Sequence, residues 1–317
     1  MKGLLLVNTG SPDSPATKDV RRYLSEFLTD PRVMDMPALP RHLLVRGIIA
    51  PLRAPKSAEK YRHIFTPEGK PLLLSETEKL ARLMSQKGSL PVYVAMRYGR
   101  PAVAEAFRKA ETDGVTELKV IPMFPQYAMS SFETAAERVF SEYTRLRPPF
   151  ELTFARPYYS HPLLIEAFAE RIAAYAEPGD LVLCSYHGVP LSQVKPYADD
   201  PDRDYPSQTE ETTRLLARHP LLKGLNLTLE TVYQSRFGNG KWTLPNTQTT
   251  LLRLRDEGRK RVVVVCPGFL CDNLETVYEI GVEGRELFEK GRAGASLVFV
   301  PSPGASEALA GCLLSTD

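Results

Sequence analysis

Eight short aliphatic runs, separated by stretches long enough to hold a helix, restrict this chain to one class of fold. The runs are Gly3–Val7, Pro91–Ala95, Leu118–Ile121 and Glu151–Ala155 in the first half, and Leu181–Cys184, Thr228–Gln234, Arg261–Val265 and Ser296–Val300 in the second. Their near-continuous apolar character predicts strands buried on both faces, as in parallel sheets. Between them lie amphipathic patterns. Val20, Tyr23, Leu24, Phe27 and Leu28 recur at helical spacing, with Thr17 as a cap. Further helical windows fall at 74–86, 101–113, 132–146, 161–176, 208–218, 247–257 and 272–290. Strand and helix alternate throughout, so the class is α/β with parallel sheets.

A chain of 317 residues is long enough for about two domains, each with its own core. The two halves read as one plan used twice. The first strand of each ends in a polar residue, Gly, x, Pro: Thr9-Gly10-Ser11-Pro12 and His187-Gly188-Val189-Pro190. A later strand in each ends in Pro-x-Phe: Pro122-Met123-Phe124 and Pro267-Gly268-Phe269. Chance supplies the alternative, since Gly and Pro commonly end strands. The echo predicts two four-stranded domains, 1–155 and 156–302, facing each other across a cleft. A terminal helix over 303–317 is expected to pack back on the first domain. Ligands of open α/β sheets bind beyond the carboxyl ends of the strands, which places these turns at the cleft.

Forty basic against 38 acidic residues give no support for general nucleic-acid binding. No stretch approaches the roughly 18 apolar residues a membrane span needs, and the N-terminal run reads as a first strand rather than a signal peptide. The expected location is therefore the cytoplasm. Cys184, Cys266, Cys271 and Cys312 are scattered, form no CxxC pair, and read as small buried hydrophobes. Residues 32–63 differ from the rest, with seven basic and two acidic residues interleaved with Met34, Met36, Leu39, Leu43, Leu44, Ile48, Ile49 and Leu52. Two readings are open: a lip that receives an apolar anion or touches a membrane surface, or an amphipathic helix packed on the sheet with a solvated basic face.

Four segments carry residues suited to chemistry. His187 alone among five histidines follows an apolar strand and precedes a Gly-x-Pro turn, where an imidazole can act as base or metal ligand. A hydrogen-bonded structural His is the alternative. Glu275, Glu279 and Glu283 recur every four residues on one helix face. Such a row is unfavourable by about 0.2–0.5 kcal/mol per pair unless a cation sits on it. It suits a path for a divalent cation, or equally a solvated face. Gly281 within it points to irregular helix geometry. The loop from Tyr233 to Pro245 holds Ser235, Arg236, Lys241 and the single Trp242, and suits a flat, partly anionic ligand or a packing anchor. Arg97, in Arg97-Tyr98-Gly99-Arg100-Pro101, can pair a carboxylate at a strand's carboxyl end.

Together these segments resemble ferrochelatases, which insert Fe²⁺ into a porphyrin. The resemblance spans nearly the whole chain in order: Val7-Asn8-Thr9-Gly10-Ser11-Pro12, PRVMDMP, GIIAPLRAPKSAEKY, TPEGKPL, MRYGRP, PMFPQYAMSS, SYHGVP, YQSRFGNGKW and PGFLCDNLETVYEI. It implies two similar four-stranded parallel-sheet domains of flavodoxin/Rossmann type in a chelatase-like arrangement. It further implies that His187 and Glu275 are catalytic, and that Glu279 and Glu283 continue a carboxylate relay for metal on a π-helical stretch. Thr9, Arg53, Tyr61, Lys70, Arg97, Tyr98, Ser235 and Trp242 are implied as porphyrin-binding positions. Iron and porphyrin are then substrates, protohaem is the product, and no tightly bound cofactor is expected. The four cysteines do not match the arrangement of iron–sulfur members, so no cluster is expected, and a monomer is the default. Asn273 departs from the family in replacing a His two residues before Glu275, which is expected to weaken a hydrogen-bond network around His187 and Glu275. The stretch from Asp199 to Asp204 is longer than usual. Thr9 in place of Tyr points to protoporphyrin rather than coproporphyrin. A cobalt or nickel chelatase and a non-catalytic tetrapyrrole or metal carrier are the competing readings.

Overall fold

The computed structural model describes residues 1–236 and 240–316, so Phe237, Gly238 and Asn239 of the 233–245 loop, and Asp317, lie outside the described residues. The chain divides into two units, 1–123 with 129–155, and 124–128 with 156–317. The first holds β1 (Lys2–Asn8), β2 (Val92–Met96), β3 (Glu117–Pro122) and β4 (Glu151–Phe154) as a parallel sheet in the order β2-β1-β3-β4. The second holds β5 (Leu181–His187), β6 (Thr228–Gln234), β7 (Arg261–Val265) and β8 (Ser296–Val300) in the order β6-β5-β7-β8. The two orders are the same. The turns that echo each other in sequence therefore leave equivalent strands, β1 with β5 and β3 with β7.

The apolar runs are explained by burial on both faces. Leu5, Leu6 and Val7 of β1 and Val262 to Val265 of β7 are fully buried between helical layers. Edge strand β4 alternates exposed and half-buried residues instead. In both sheets the order reverses beside the first strand, making a topological switch point between β1 and β3, and between β5 and β7. The carboxyl ends of strands open a crevice there.

Two expectations about boundaries are corrected. Residues 124–128 belong with the second unit: Gln126 Nε2 donates to Thr212 Oγ1 at 3.0 Å, and the Tyr127 amide donates to Gln208 Oε1 at 2.7 Å. The terminal helix Glu307–Ser315 is part of the second unit and packs on the helix Pro162–Tyr175 of that unit. Small residues permit this close approach: a Cβ added at Gly311 would lie 3.0 Å from Leu163 Cδ1. Among the described residues three π-helical segments interrupt the α-helices, at Val45–Ile49, Met129–Glu133 and Leu274–Gly284.

Candidate active site

His187 ends β5, on the switch-point crest of the second unit. Its backbone carbonyl accepts a hydrogen bond from the Tyr205 hydroxyl at 2.8 Å. Its ring Nδ1 lies 2.6 Å from the Gly188 carbonyl oxygen. A carbonyl only accepts, so Nδ1 carries the proton and Nε2 presents a bare lone pair in the neutral ring. The ring is half-buried, which keeps that lone pair reachable.

Glu275 comes from the segment after β7, the other strand of the switch point. The chain turns at Pro267-Gly268 and enters the π-helix Leu274–Gly284. Asn273 caps it: its side-chain oxygen accepts the Thr276 amide at 3.1 Å, and the Thr276 hydroxyl accepts the Asn273 amide at 3.0 Å. The departure at Asn273 thus has a local structural role. The irregular geometry expected around Gly281 is this π-helix. Withdrawal from water pushes the Glu275 carboxyl above the ordinary carboxylate range; a charge on His187 works against that rise, and the charge of Glu279 adds to it.

Glu279 is held by three donors: the Ser235 amide at 2.7 Å, the Ser235 hydroxyl at 2.5 Å and Gln248 Nε2 at 2.8 Å. Ser235 reaches it by adopting a left-handed backbone with φ 63°. Ser235, expected to hold porphyrin, therefore directs both its donors to Glu279. Glu283 is half-buried further along the same π-helix. Among the described residues no three His, Cys, Asp or Glu side chains converge as a metal site requires. His187, Glu275, Glu279 and Glu283 are thus not one closed metal centre. The three carboxylates follow one another along the helix.

Trp242 is half-buried beside the His187 turn, paired as an isolated antiparallel bridge with Pro190. With Arg236, Lys241 and Gly188 it lines a cavity of about 370 Å³.

The remaining expected porphyrin positions lie in the first unit. Thr9 is half-buried after β1, and its carbonyl accepts the Tyr98 amide at 2.9 Å. Arg53 is exposed on the helix Ala50–Tyr61. The Lys70 amine is paired with the Glu78 carboxylate. Tyr61 and Tyr98, implied as porphyrin-binding positions, are both buried within the first unit. Tyr61 is buried edge-on against Tyr23, ring centroids 6.0 Å apart. Tyr98 is 1% exposed, and its hydroxyl donates to Asp30 at 2.8 Å. Arg97 joins the same carboxylate at 2.5 Å and donates from Nε to Thr134 at 2.7 Å.

Sequence reasoning passed over Asp30, Gln234 and Gln248. Gln234 alone left a signal: a polar residue ending an otherwise aliphatic strand, next to Ser235.

An imidazole lone pair and a row of carboxylates at the switch point of a doubly wound parallel sheet make an α/β protein whose candidate site is chemically suited to accept a proton and to attract a cation. The fold is shared with SirB from Bacillus subtilis, solved with Fe³⁺, at a TM-score of 0.54 and 13% identity over 99% of this chain and 93% of that one. A ferrochelatase family model matches residues 1–316. The chain is 41% identical to the ferrochelatase of Opitutus terrae, covering 95% of this chain and 92% of the relative. It is 38% identical to that of Porphyromonas gingivalis, covering 94% and 90%. The chain belongs to the ferrochelatase family, and it is an enzyme that inserts metal into a porphyrin.

Proposed function

We propose that the physiological reaction is insertion of Fe²⁺ into protoporphyrin IX, with His187 as the first proton acceptor and Glu275 as its partner. The observation that carries this is the His187 tautomer: the Gly188 carbonyl holds the proton on Nδ1, leaving Nε2 basic. Metal insertion releases two pyrrole protons as the ion loses its waters. Nε2 takes the first. Glu275, with its affinity for protons raised by burial, takes or relays the second. Once His187 is protonated, its charge draws the Glu275 carboxyl back toward release; the site returns to its starting state when both protons, the one on Glu275 and the one on His187 Nε2, have passed to water. Glu279 and Glu283 continue the carboxylate row and ease the approach of the cation, since hard oxygen ligands suit its transfer. No resident cofactor takes part in this reading. Divalent affinity follows a fixed order that does not favour iron, so Zn²⁺ and Co²⁺ are accepted as well.

The test follows zinc insertion into protoporphyrin IX by absorbance, then iron insertion without oxygen, for wild type and His187→Ala. Loss of insertion with retained porphyrin binding is expected. Insertion by the variant at the wild-type rate refutes the assignment. Coproporphyrin III run in parallel ranks the substrates, and a higher kcat/KM for it would replace protoporphyrin.

A second reading concerns the lip. Leu39, Leu43, Ile48 and Leu52 are 53–74% exposed. The π-turn Val45–Ile49 adds one residue, so a step of five rather than four links Leu43 to Ile48 along one face. Exposed Arg46, Arg53 and Lys56 flank them. This combination suits peripheral contact with an anionic membrane. Among the described residues no helix is long and apolar enough to cross one.

A further inference from the structure

We propose that Gln234 is a positioning residue that fixes where Glu275 stands relative to His187; the proposal rests on the reading of those two as the catalytic pair. Gln234 is fully buried at the end of β6, opposite His187 in the β5/β6 register. Its backbone carbonyl accepts the Gly188 amide at 2.8 Å, bracing the turn that sets the His187 tautomer. Its side chain reaches the other way, to the backbone carbonyl of Glu275 at 2.6 Å.

Donor logic orients everything behind that contact. The Glu275 carbonyl only accepts, so the Gln234 atom facing it is Nε2, and Oε1 faces Ser185. The Ser185 hydroxyl donates its single proton to Oε1 at 2.6 Å. Across the 2.8 Å contact between Ser185 and Thr247 the donor must then be Thr247. A directed chain results: Thr247 hydroxyl to Ser185 hydroxyl to Gln234 amide to Glu275 carbonyl. All three side chains are fully buried. The Cys266 thiol of the segment after β7 also donates to Oε1, at 3.5 Å.

Such a chain is costly unless each member is satisfied, and an aliphatic side chain would otherwise suit a strand core. What the chain adds is a fixed link from β5 and β6 to the peptide that carries the Glu275 side chain. The next residue extends the device, since Ser235 gives its amide and hydroxyl to Glu279. Two consecutive residues thereby hold the turn after His187, the backbone of Glu275 and the carboxylate of Glu279.

The experiment uses the full chain with Gln234→Met, similar in size but without the amide. Zinc insertion into protoporphyrin IX gives kcat and KM, fluorescence quenching gives porphyrin affinity, and thermal melting reports folding. The expected result is a fall in kcat of about 10- to 100-fold, as for misplacement of a reacting group by about 1 Å. KM and porphyrin affinity stay within about twofold. Combined with Glu275→Gln, the losses are non-additive: the double variant is at most about twofold slower than Glu275→Gln alone. Additive losses, or a kcat within about twofold of wild type, overturn the proposal. Should Gln234→Met not fold, Ser185→Ala removes the hydroxyl that orients the amide, and the same non-additivity decides. His187→Ala is measured alongside: insertion by that variant refutes the catalytic pair itself, whatever Gln234 does.

Discussion

Replacing Asp30 by Asn tests how the first unit holds a buried charge. Asp30 Oδ2 accepts from the Thr134 hydroxyl at 2.5 Å, the Tyr98 hydroxyl at 2.8 Å and the Arg97 guanidinium at 2.5 Å, while Oδ1 accepts the Arg32 amide at 2.8 Å. The carboxylate side chain is 1% exposed and that of Arg97 11%. Burial alone would push the Asp30 carboxyl up. The hydrogen bonds from Thr134 and Arg32, the Arg97 charge and the Tyr98 hydroxyl outweigh it and hold the carboxyl below the ordinary range. Asp30→Asn leaves the Arg97 cation inside without its counter-charge. Breaking a buried pair in this way costs about 3–5 kcal/mol, whereas a surface pair would cost about 0–1 kcal/mol. At about 2–4 °C per kcal/mol for a unit of this size, Tm falls by roughly 6–20 °C.

The pH dependence has a definite sign. A carboxylate whose folded pKa is depressed contributes stability that is present above its unfolded pKa of about 3.9, and lost as pH falls through the lower folded value. The wild-type advantage over Asp30→Asn therefore holds from neutrality to about pH 4 and shrinks below it. Urea unfolding at pH 7 and pH 3 measures both gaps. A gap under about 1 kcal/mol at pH 7, or one that does not narrow at pH 3, refutes the reasoning. Adding Arg97→Gln to Asp30→Asn recovers part of the loss, because the uncompensated cation is gone.

Two further predictions follow from local geometry. Gly10 has φ +106°, and a Cβ there would lie 1.9 Å from the Tyr98 carbonyl oxygen, whereas Gly69 at φ +78° meets nothing within 4 Å. Gly10→Ala thus destabilises by at least about 2 kcal/mol more than Gly69→Ala, which carries backbone strain of about 1–2 kcal/mol alone; equal melting temperatures would contradict this. Leu39→Asp combined with Leu52→Asp lowers co-sedimentation with phosphatidylserine-containing vesicles severalfold while shifting stability by no more than about 1 kcal/mol, since both side chains are exposed; unchanged vesicle binding removes the membrane reading.

Period and punctuation determined most of the frame in advance. Strands buried on both faces need continuous aliphatic runs, and all eight runs are strands, within a few residues at their ends. A turn at the carboxyl end of a switch-point strand is where such sheets place chemistry, so His187 and the Glu275 row were legible as candidates from local pattern together with family motifs. The tertiary structure decided the partners. Asp30 meets Arg97 across 67 positions and Thr134 across 104, and no periodicity registers a pairing at that separation. Arg97 and Tyr98 stand at a strand's carboxyl end as expected, yet they face a buried carboxylate because the 29–34 loop brings Asp30 to them. Gln234 looked like the end of a strand. Its role lies in which carbonyl its amide meets, and that depends on how β5, β6 and the π-helix pack. Local sequence sets which backbone states are cheap, whereas the pairing of buried polar groups is set by whatever chain the fold brings within 3 Å.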